Sequence, residues 1–306
     1  MEKNITGYGD DDSVTEGWYA ISTPVNSGEP TDEGYYYENI DNIENLIPTD
    51  ERRYDLYRYY EAGEYDANTD KTVSWWENHK MNDEDSEDDY YDWSNPEFTT
   101  LSSGRGYLYA SSENVTLKFT NTVRNNGISF PCTADYGGED ENFLGFNLMG
   151  NPFTHNITAA NMSMAATEMP EAYYTLSYDG TWVSNLFSDD KTEIKVGEAF
   201  LIKVTESDEL IFSYKAKRSR FANNGSINIV VSNDKYSDNA IVSFSEGKGL
   251  NKFPHLNKEA HEVYVIDNET KYGVATMNDD VTTIPVGFKA NTMGEYTIAV
   301  KAQDCK

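Results

Sequence analysis

The sequence is poor in leucine and in helix-like patterns, and this limits the fold classes it can adopt. Leucine occurs only 13 times in 306 residues, whereas tyrosine occurs 23 times and aromatic residues make up 13%. Tyrosine, phenylalanine, threonine, valine and isoleucine favour strands over helices. No long segment repeats apolar residues with the period of a helix. The composition therefore predicts an all-β protein.

Cysteine is also scarce, and long apolar runs are absent. The two cysteines, Cys132 and Cys305, have neither CxxC nor zinc-ligand spacing. A disulfide between them would join two predicted domains, so we expect two free thiols. No apolar run approaches the roughly 18 residues that a membrane helix needs, and direct membrane insertion is not expected. The first residues do not resemble a signal peptide, so export would require targeting segments outside this chain.

Basic residues are few relative to acidic ones. The chain has 24 lysines and arginines against 53 acidic residues, for a net charge of −29. A protein of this charge repels phosphate backbones, which excludes nucleic acid as an expected partner. The only dense basic cluster is Lys215–Arg220, which runs into small polar residues. This combination is typical of a linker.

Catalytic motifs are missing as well. There is no G-x-S-x-G elbow and no HExxH spacing, and the four histidines are scattered. We therefore expect solvated or capping histidines, no catalytic residue, and a protein that is not an enzyme. A pair of glycosidase carboxylates stays open, because that assignment depends on separation in space.

Two stretches of the chain resemble each other and indicate an internal duplication. Gly104–Phe119 aligns without a gap with Gly197–Phe212, and both predict a β-hairpin. Upstream, three further pairs occur in the same order: Gly17–Pro24 with Gly145–Phe153, Tyr54–Tyr59 with Tyr173–Tyr178, and Trp75-Trp76 with Trp182. We interpret residues 1–214 as one β domain built from halves at about 17–120 and 145–213.

The rest of the chain predicts a linker and a second domain. Residues 215–226 are the linker, and residues 227–306 contain six short strand-like segments with turns between them. Such spacing is typical of a small immunoglobulin-like sandwich. The expected fold is thus an internally duplicated β-sandwich-like domain followed by an immunoglobulin-like sandwich. Six segments leave open that one or two strands of the second sandwich are missing.

An acidic insertion at about 82–92 interrupts the first half. Calcium binds several carboxylate and carbonyl oxygens, which makes four aspartates weak metal candidates: Asp83, Asp85, Asp88 and Asp89. The D-x-D-x-D-G loop with its distal glutamate is absent. We therefore expect a solvated insertion without a cofactor, and a melting temperature that calcium raises little.

The aromatic residues around this insertion are the candidate ligand-binding residues. Trp75 and Trp76 are adjacent, so in a strand they point to opposite sides of the sheet and only one can join the core. Together with Tyr90, Tyr91 and Trp93 they could form a platform that stacks on sugar rings. The alternative is that the insertion folds back and buries the second tryptophan.

With these segments assembled, the chain resembles large cell-surface, adhesin-like proteins of the Bacteroidetes type. The phrases that carry the resemblance are GWYAISTPV, YDLYRYYE, WWENHK, GRGYLYA, GFNLMGNPF, GEAFLIKV, AIVSFSEGKGLNKF and IPVGFKANTMGEYTIAV. In that family such β modules lie near the C-terminus of exported proteins. The resemblance therefore implies an extracellular or outer-surface location and attachment to the remainder of a larger surface protein.

Three functional hypotheses follow. The first is a non-catalytic module for adhesion or presentation, with a glycan or a host or cell-surface protein as its partner. The second is the accessory part of an exported hydrolase, either a glycosidase or a peptidase. The third is a purely structural stalk. A flat aromatic platform would favour the binding module. A deep cleft with two facing carboxylates would favour the hydrolase, and smooth sheets without a patch would favour the stalk.

Overall fold

A computed structural model describes residues 1–9, 16–28, 36–48, 53–66, 71–82, 91–92, 98–134, 144–189, 192–217 and 225–305. Regular structure in these residues is almost entirely strand, apart from short 3₁₀ helices at Ile40–Asn42 and Ala159–Asn161. The predicted all-β, sandwich-type fold is confirmed. Within the described ranges, no helix is long and apolar enough to cross a membrane.

The first half of the chain contains strands of two antiparallel sheets. Its strands are β1 (Glu2–Ile5), β2 (Tyr19–Ile21), β3 (Val25–Asn26), β4 (Tyr37–Asn39), β5 (Ile43–Glu44), β6 (Tyr54–Asp66), β7 (Lys71–Asn78), β8 (Met81–Asn82), β9 (Tyr91–Asp92), β10 (Thr100–Ser102), β11 (Tyr107–Ser111), β12 (Val115–Phe119) and β13 (Thr122–Val123). One sheet has the order β2-β11-β6-β7 and the other has the order β1-β12-β5. Three two-stranded pairs (β10-β4, β13-β3 and β8-β9) flank them.

The second half forms two sheets with the same strand order. Its strands are β14 (Ile128–Cys132), β15 (Phe146–Gly150), β16 (Met162–Met164), β17 (Ala172–Leu176), β18 (Trp182–Leu186), β19 (Ala199–Lys203) and β20 (Asp208–Phe212). The four-stranded sheet is β15-β19-β17-β18 and the three-stranded sheet is β14-β20-β16. A 3₁₀ helix precedes the third strand of the small sheet in both halves. The halves thus share one topology, while their origin by duplication stays a prediction.

Each half is a small sandwich with its own apolar core. In the first half, Tyr107 and Tyr109 of the large sheet pack with Leu117 and Phe119 of the small one. In the second half, Phe200 and Ile202 pack with Leu210 and Phe212 in the same way. Alternate residues of these strands face the core, as strand geometry requires.

The two halves contact each other reciprocally. Isolated bridges join Ile21 to Glu198 and Met149 to Arg105. The amide of Ser22 donates to the carbonyl of Gly197 at 3.1 Å. The amide of Gly150 donates to the carbonyl of Gly104 at 2.9 Å. Such an exchange of equivalent contacts is what a local two-fold axis produces.

The two predicted hairpins are wrong, because β11 and β12 lie in different sheets of the first sandwich and β19 and β20 in different sheets of the second. The alignment of Gly104–Phe119 with Gly197–Phe212 does match equivalent strands, whereas the alignment of the aromatic strands is wrong by two residues. Gly104 and Gly197 both have positive φ, at 96° and 71°, a conformation that favours glycine. Leu108 lies opposite Tyr57, and the equivalent Leu201 lies opposite Tyr174. Tyr57 therefore corresponds to Tyr174, whereas the sequence alignment paired it with Leu176. Tyr174 and Leu176 are two positions apart and point to the same side of β17, so the alternating pattern did not reveal the shift.

The C-terminal strands form one bent sheet. They are β21 (Ser226–Ser232), β22 (Ser237–Ser243), β23 (Leu250–Asn251), β24 (Glu262–Asp267), β25 (Thr270–Thr276), β26 (Val286–Lys289) and β27 (Thr297–Gln303). The order is β26-β24-β25-β22-β21-β27, with β23 also beside β25. β25 pairs with β24 through its first residues and with β22 through its last ones, so it forms a corner between two layers. The apolar core between the layers includes Val231, Val242, Val263 and Val265.

The C-terminal sheet packs closely on the second half. Leu250, Phe253 and Val274 share an apolar core with Phe146 and Trp182. Hydrogen bonds cross the same contact: Ser184 N to Asn239 Oδ1 at 2.8 Å, Tyr174 Oη to Asn251 O at 2.7 Å, and Leu256 N to Gly180 O at 3.0 Å. The two parts of the chain are therefore joined by a shared core as well as by the predicted linker.

The described part of that linker forms a backbone hydrogen bond with the second half. The amide of Lys217 donates to the carbonyl of Ala160 at 2.6 Å. Residues 218–224 lie outside the described residues. The strand segments predicted beyond the linker all coincide with observed strands, and the structure adds the short β23.

Candidate functional site

The structure places only part of the predicted aromatic platform. Trp75 and Trp76 lie on β7 and Tyr91 lies on β9. Tyr90 and Trp93, and the side chains of Trp75 and Tyr91, lie outside what the structure describes. Trp76 is half-buried and packs against the core that the two large sheets share with the C-terminal strands.

The weak metal candidates Asp83, Asp85, Asp88 and Asp89 are likewise outside the described residues. Within the described ranges, no group of three histidine, cysteine or acidic side chains is placed to hold a metal ion. The small calcium response expected from the sequence stays a prediction.

Trp76 belongs to a cluster of aromatic side chains on one side of the first large sheet. Its ring meets that of Tyr59, directly opposite on β6, edge to face at 4.9 Å. Tyr57 lies two residues away on β6 and therefore points to the same side. Its ring lies 5.9 Å from that of Trp18, which immediately precedes β2. We call Trp18, Tyr57, Tyr59 and Trp76 the aromatic face.

Arg58 and Glu77, which lie opposite each other on β6 and β7, point to the other side of the sheet. Arg58 lies between Tyr57 and Tyr59 in sequence, so its side chain points away from the aromatic face. It forms a two-point ion pair with Glu77, at 2.5 and 2.8 Å, and lies 4.9 Å from the centre of the Phe98 ring. The aromatic face itself carries an amide beside its rings, because Asn78 Nδ2 donates to Tyr57 Oη at 3.3 Å.

The second half has a corresponding face, and the C-terminal strands cover it. Strand pairing makes Tyr174 the equivalent of Tyr57, and Trp182 (opposite Leu176) the equivalent of Trp76. Both Tyr174 and Trp182 are fully buried, and Phe253 of the C-terminal part packs on Trp182 at 5.8 Å.

In the first half, Trp18, Tyr57 and Trp76 are only half-buried, and the ring of the buried Tyr59 lies 6.1 Å from that of Phe253. One face is therefore covered from within the chain, while its counterpart stays partly open. Sequence reasoning missed Trp18 and Tyr57. The alignment of GWYA with GFNL was the available signal, because it pairs Trp18 with the buried Phe146.

A groove runs along the contact between the second half and the C-terminal strands. This groove has a volume of about 1870 Å³ and is lined mostly by polar residues, among them Glu171, Lys203, Ser245 and Asn251. The Ser245 hydroxyl donates to the Glu171 carboxylate, and Lys203 Nζ donates to Asn251 Oδ1 at 3.0 Å. These bonds join the two walls, so the groove belongs to the contact between the two parts of the chain.

A buried ionic network lies next to that contact. Both carboxylate oxygens of Asp238 are 2.6 Å from Lys252 Nζ, and the three side chains of Asp238, Lys252 and His255 are almost fully buried. The amides of Asn239 and Val263 also donate to the Asp238 carboxylate, at 2.8 and 2.6 Å.

His255 connects this network to the second half. Its Nε2 lies 3.3 Å from Asp238 Oδ2. Its Nδ1 accepts a hydrogen bond from the Trp182 amide at 3.0 Å, which places the ring proton on Nε2. A perturbed carboxylate can mark a catalytic site. Because this carboxylate is fully buried and its hydrogen bonds are with the surrounding chain, the arrangement is structural.

The expectation of solvated or capping histidines is wrong for most of them. His79, His255 and His261 are buried, and each ring bonds to the main chain. Burial lowers the pKa of His79, although its bond to the Phe98 carbonyl opposes that effect. Neither thiol forms a disulfide, as the sequence predicts, and burial raises the pKa of Cys132 to about 12. A thiol of this kind is a poor nucleophile at neutral pH.

Comparison of the chain with protein-family models, with curated protein sequences and with solved structures finds no match.

Proposed function

We propose that this chain is a non-catalytic binding module whose aromatic face contacts a glycan. The observation that carries the proposal is the contrast between the two halves. The same face is sealed by the C-terminal strands in the second half and only partly buried in the first, where it presents Trp18, Tyr57 and Trp76. Large aromatic side chains at a partly open position are typical anchors of binding surfaces.

The chemistry of the aromatic face suits a sugar ring. The apolar faces of sugars stack on tryptophan and tyrosine rings, and hydroxyl groups pair with nearby amide and phenol groups. Tyr57 Oη and the Asn78 amide lie at the edge of the rings and supply such groups. The acidic chain would repel anionic ligands, so a neutral or basic glycan fits best.

We also propose an extracellular or outer-surface location, in a module attached to a larger surface protein. The support is the resemblance to Bacteroidetes-type surface proteins given above. The accessory part of a hydrolase and the structural stalk stay alternatives. The groove beside Glu171 is joined by hydrogen bonds between its walls, which favours neither a hydrolytic cleft nor a featureless stalk.

A glycan array of the intact chain, followed by calorimetric titration of the best ligand, tests the proposal. Trp18→Ala and Trp76→Phe should weaken binding by at least about tenfold, equivalent to about 1.4 kcal/mol, at temperatures where both variants are folded. Tyr264→Ala is the matched control, because Tyr264 is a half-buried aromatic residue on β24 of the C-terminal sheet.

Two results would contradict the proposal. A blank array would remove the glycan as the ligand class. Equal losses for Trp18→Ala and for the Tyr264→Ala control would show that the aromatic face is not the binding surface.

A further inference from the structure

Exposed apolar side chains concentrate at one side of the C-terminal sheet. Seven large apolar side chains are exposed among the described residues, and five of them are Val286, Phe288, Met293, Ile298 and Val300. Soluble proteins rarely leave such side chains together without a use for them.

On β26 the exposed side chains belong to the inner face of the sheet. Phe288 lies directly opposite Val263, and Val286 lies directly opposite Val265. Residues opposite each other in an antiparallel pair point to the same face. Val263 and Val265 are fully buried in the core, yet Val286 is 44% exposed and Phe288 is 41% exposed.

The same holds for β27 on the other layer. Val300 lies opposite Ile229, and Ile298 lies opposite Val231. Both partners are buried, whereas Ile298 is 65% exposed and Val300 is 64% exposed. The inner face of the sandwich therefore extends past its covered core on both layers.

Both strands are also free edges. In the described part of the chain, β26 pairs only with β24 and β27 pairs only with β21. The Phe288 ring lies 5.0 Å from that of Tyr296, just before β27, so the two edges approach each other there. Unpaired strand edges bind other strands unless proline, charge or a covering element protects them, and neither strand contains proline.

The charges on these edges are of one sign. In a chain with 53 acidic residues, β26 and β27 carry no carboxylate, and their only charged residues are Lys289 and Lys301. Lys289 pairs with Glu262 of the neighbouring β24 at 3.0 Å. An acidic residue at an end of the partner strand would complement Lys301 on the other edge. A second copy of this chain, with a net charge of −29, would be repelled as a whole.

We propose that this open side of the C-terminal sheet accepts an extended partner strand that the described part of the chain does not supply. The partner strand has apolar residues at every second position, because the exposed inner side chains of β26 and β27 are spaced two residues apart, and it has a carboxylate at an end. Its backbone completes a free edge, and its apolar side chains cover Val286, Phe288, Ile298 and Val300.

The test uses the 306-residue chain and a synthetic fluorescent peptide, with valine at alternate positions, threonine between them and glutamate at both ends. Fluorescence anisotropy should show saturable binding. Hydrogen exchange should show new protection at 286–289 and 297–303. Val300→Lys should weaken binding by at least about tenfold. Ala299→Lys is the matched control. Ala299 precedes Val300 and is also exposed, but its side chain points to the outer face of the sheet, so binding should persist.

Three outcomes would overturn the proposal. They are no saturable binding of the peptide, equal binding of a peptide of the same composition with its valines in one block, and equal losses for the two lysine variants. Sedimentation of the chain alone provides a further check, because a dimer that Val300→Lys dissociates would make a second copy the occupant. None of these outcomes depends on the glycan proposal, which concerns the aromatic face of the first half.

Discussion

Removal of the Asp238 carboxylate should destabilise the protein more than most single substitutions can. The carboxylate accepts hydrogen bonds from Lys252 Nζ and from the amides of Asn239 and Val263, and it is fully buried. Asp238→Ala would leave the Lys252 ammonium buried without a partner, which costs about 3–5 kcal/mol. Two backbone donors would also lose their acceptor, at about 1–3 kcal/mol each if nothing replaces it.

Two further variants separate these contributions. Asp238→Asn keeps an oxygen for the backbone donors but removes the charge, so it should cost about 3 kcal/mol, mainly from the unpaired Lys252. The double variant Asp238→Asn, Lys252→Met removes both charges. It should be more stable than Asp238→Asn alone by at least about 1 kcal/mol, because no uncompensated charge then stays in the interior.

Urea unfolding followed by tryptophan fluorescence measures these differences. Burial alone would raise the pKa of Asp238, but Lys252 and His255 lower it below its ordinary value. A carboxyl group with a lowered folded pKa adds stability above its unfolded pKa, near 4, and this stability disappears as the pH falls through the folded pKa. The cost of Asp238→Asn should therefore shrink in acid. A cost below about 1 kcal/mol at neutral pH would refute the reasoning, since the pair would then be solvated.

Three other predictions concern packing, acid stability and domain contact. A methyl group at Gly273 would overlap the hydroxyl of buried Tyr174, so Gly273→Ala should cost at least about 1–3 kcal/mol in urea unfolding, whereas Gly294→Ala, where the space is open, should cost little. Despite the opposing effect of burial, hydrogen bonds from Thr167 and neighbouring amides lower the pKa of Asp208 to about 2. The stability lost by Asp208→Asn should therefore vanish as the pH falls from about 4 to about 2, which thermal unfolding at each pH measures. Trypsin should cut early near residues 218–220, as the basic linker predicts, but the fragments should co-elute in gel filtration until denatured, because both sides contribute to one core.

Much of the architecture follows from local patterns in the sequence. Alternating apolar residues and turn residues predict the strands of the C-terminal part. The ungapped likeness of Gly104–Phe119 to Gly197–Phe212 predicts the strand–turn–strand order of β11-β12 and β19-β20, but not that the two strands of each pair lie in different sheets. These signals are local, since each strand carries its own period and each turn its own glycine. The positive φ at Gly104 and Gly197 is the physical reason why glycine occurs at both positions.

The contacts between distant segments could not be predicted in this way. Nothing in the pattern around Lys252 or His255 indicates that Asp238 lies beside them, because burial of an ion pair depends on which layers stack. The histidines were expected in solvent for the same reason. Trp18 was also missed as a member of the aromatic face, since its neighbour Tyr57 is 39 residues away and becomes adjacent only when β2 and β6 flank β11.

The different burial of the two equivalent tryptophans predicts different stability costs when each is truncated. Trp182 and Trp76 occupy equivalent positions, but Trp182 is fully buried beneath Phe253 while Trp76 is half-buried. Trp182→Ala should therefore cost about 3–5 kcal/mol, as for a core aromatic residue. Trp76→Ala should cost less than half of that, because it removes less buried surface. Equal costs in urea unfolding would mean that the first half is sealed as tightly as the second, which would leave no open aromatic surface for a ligand.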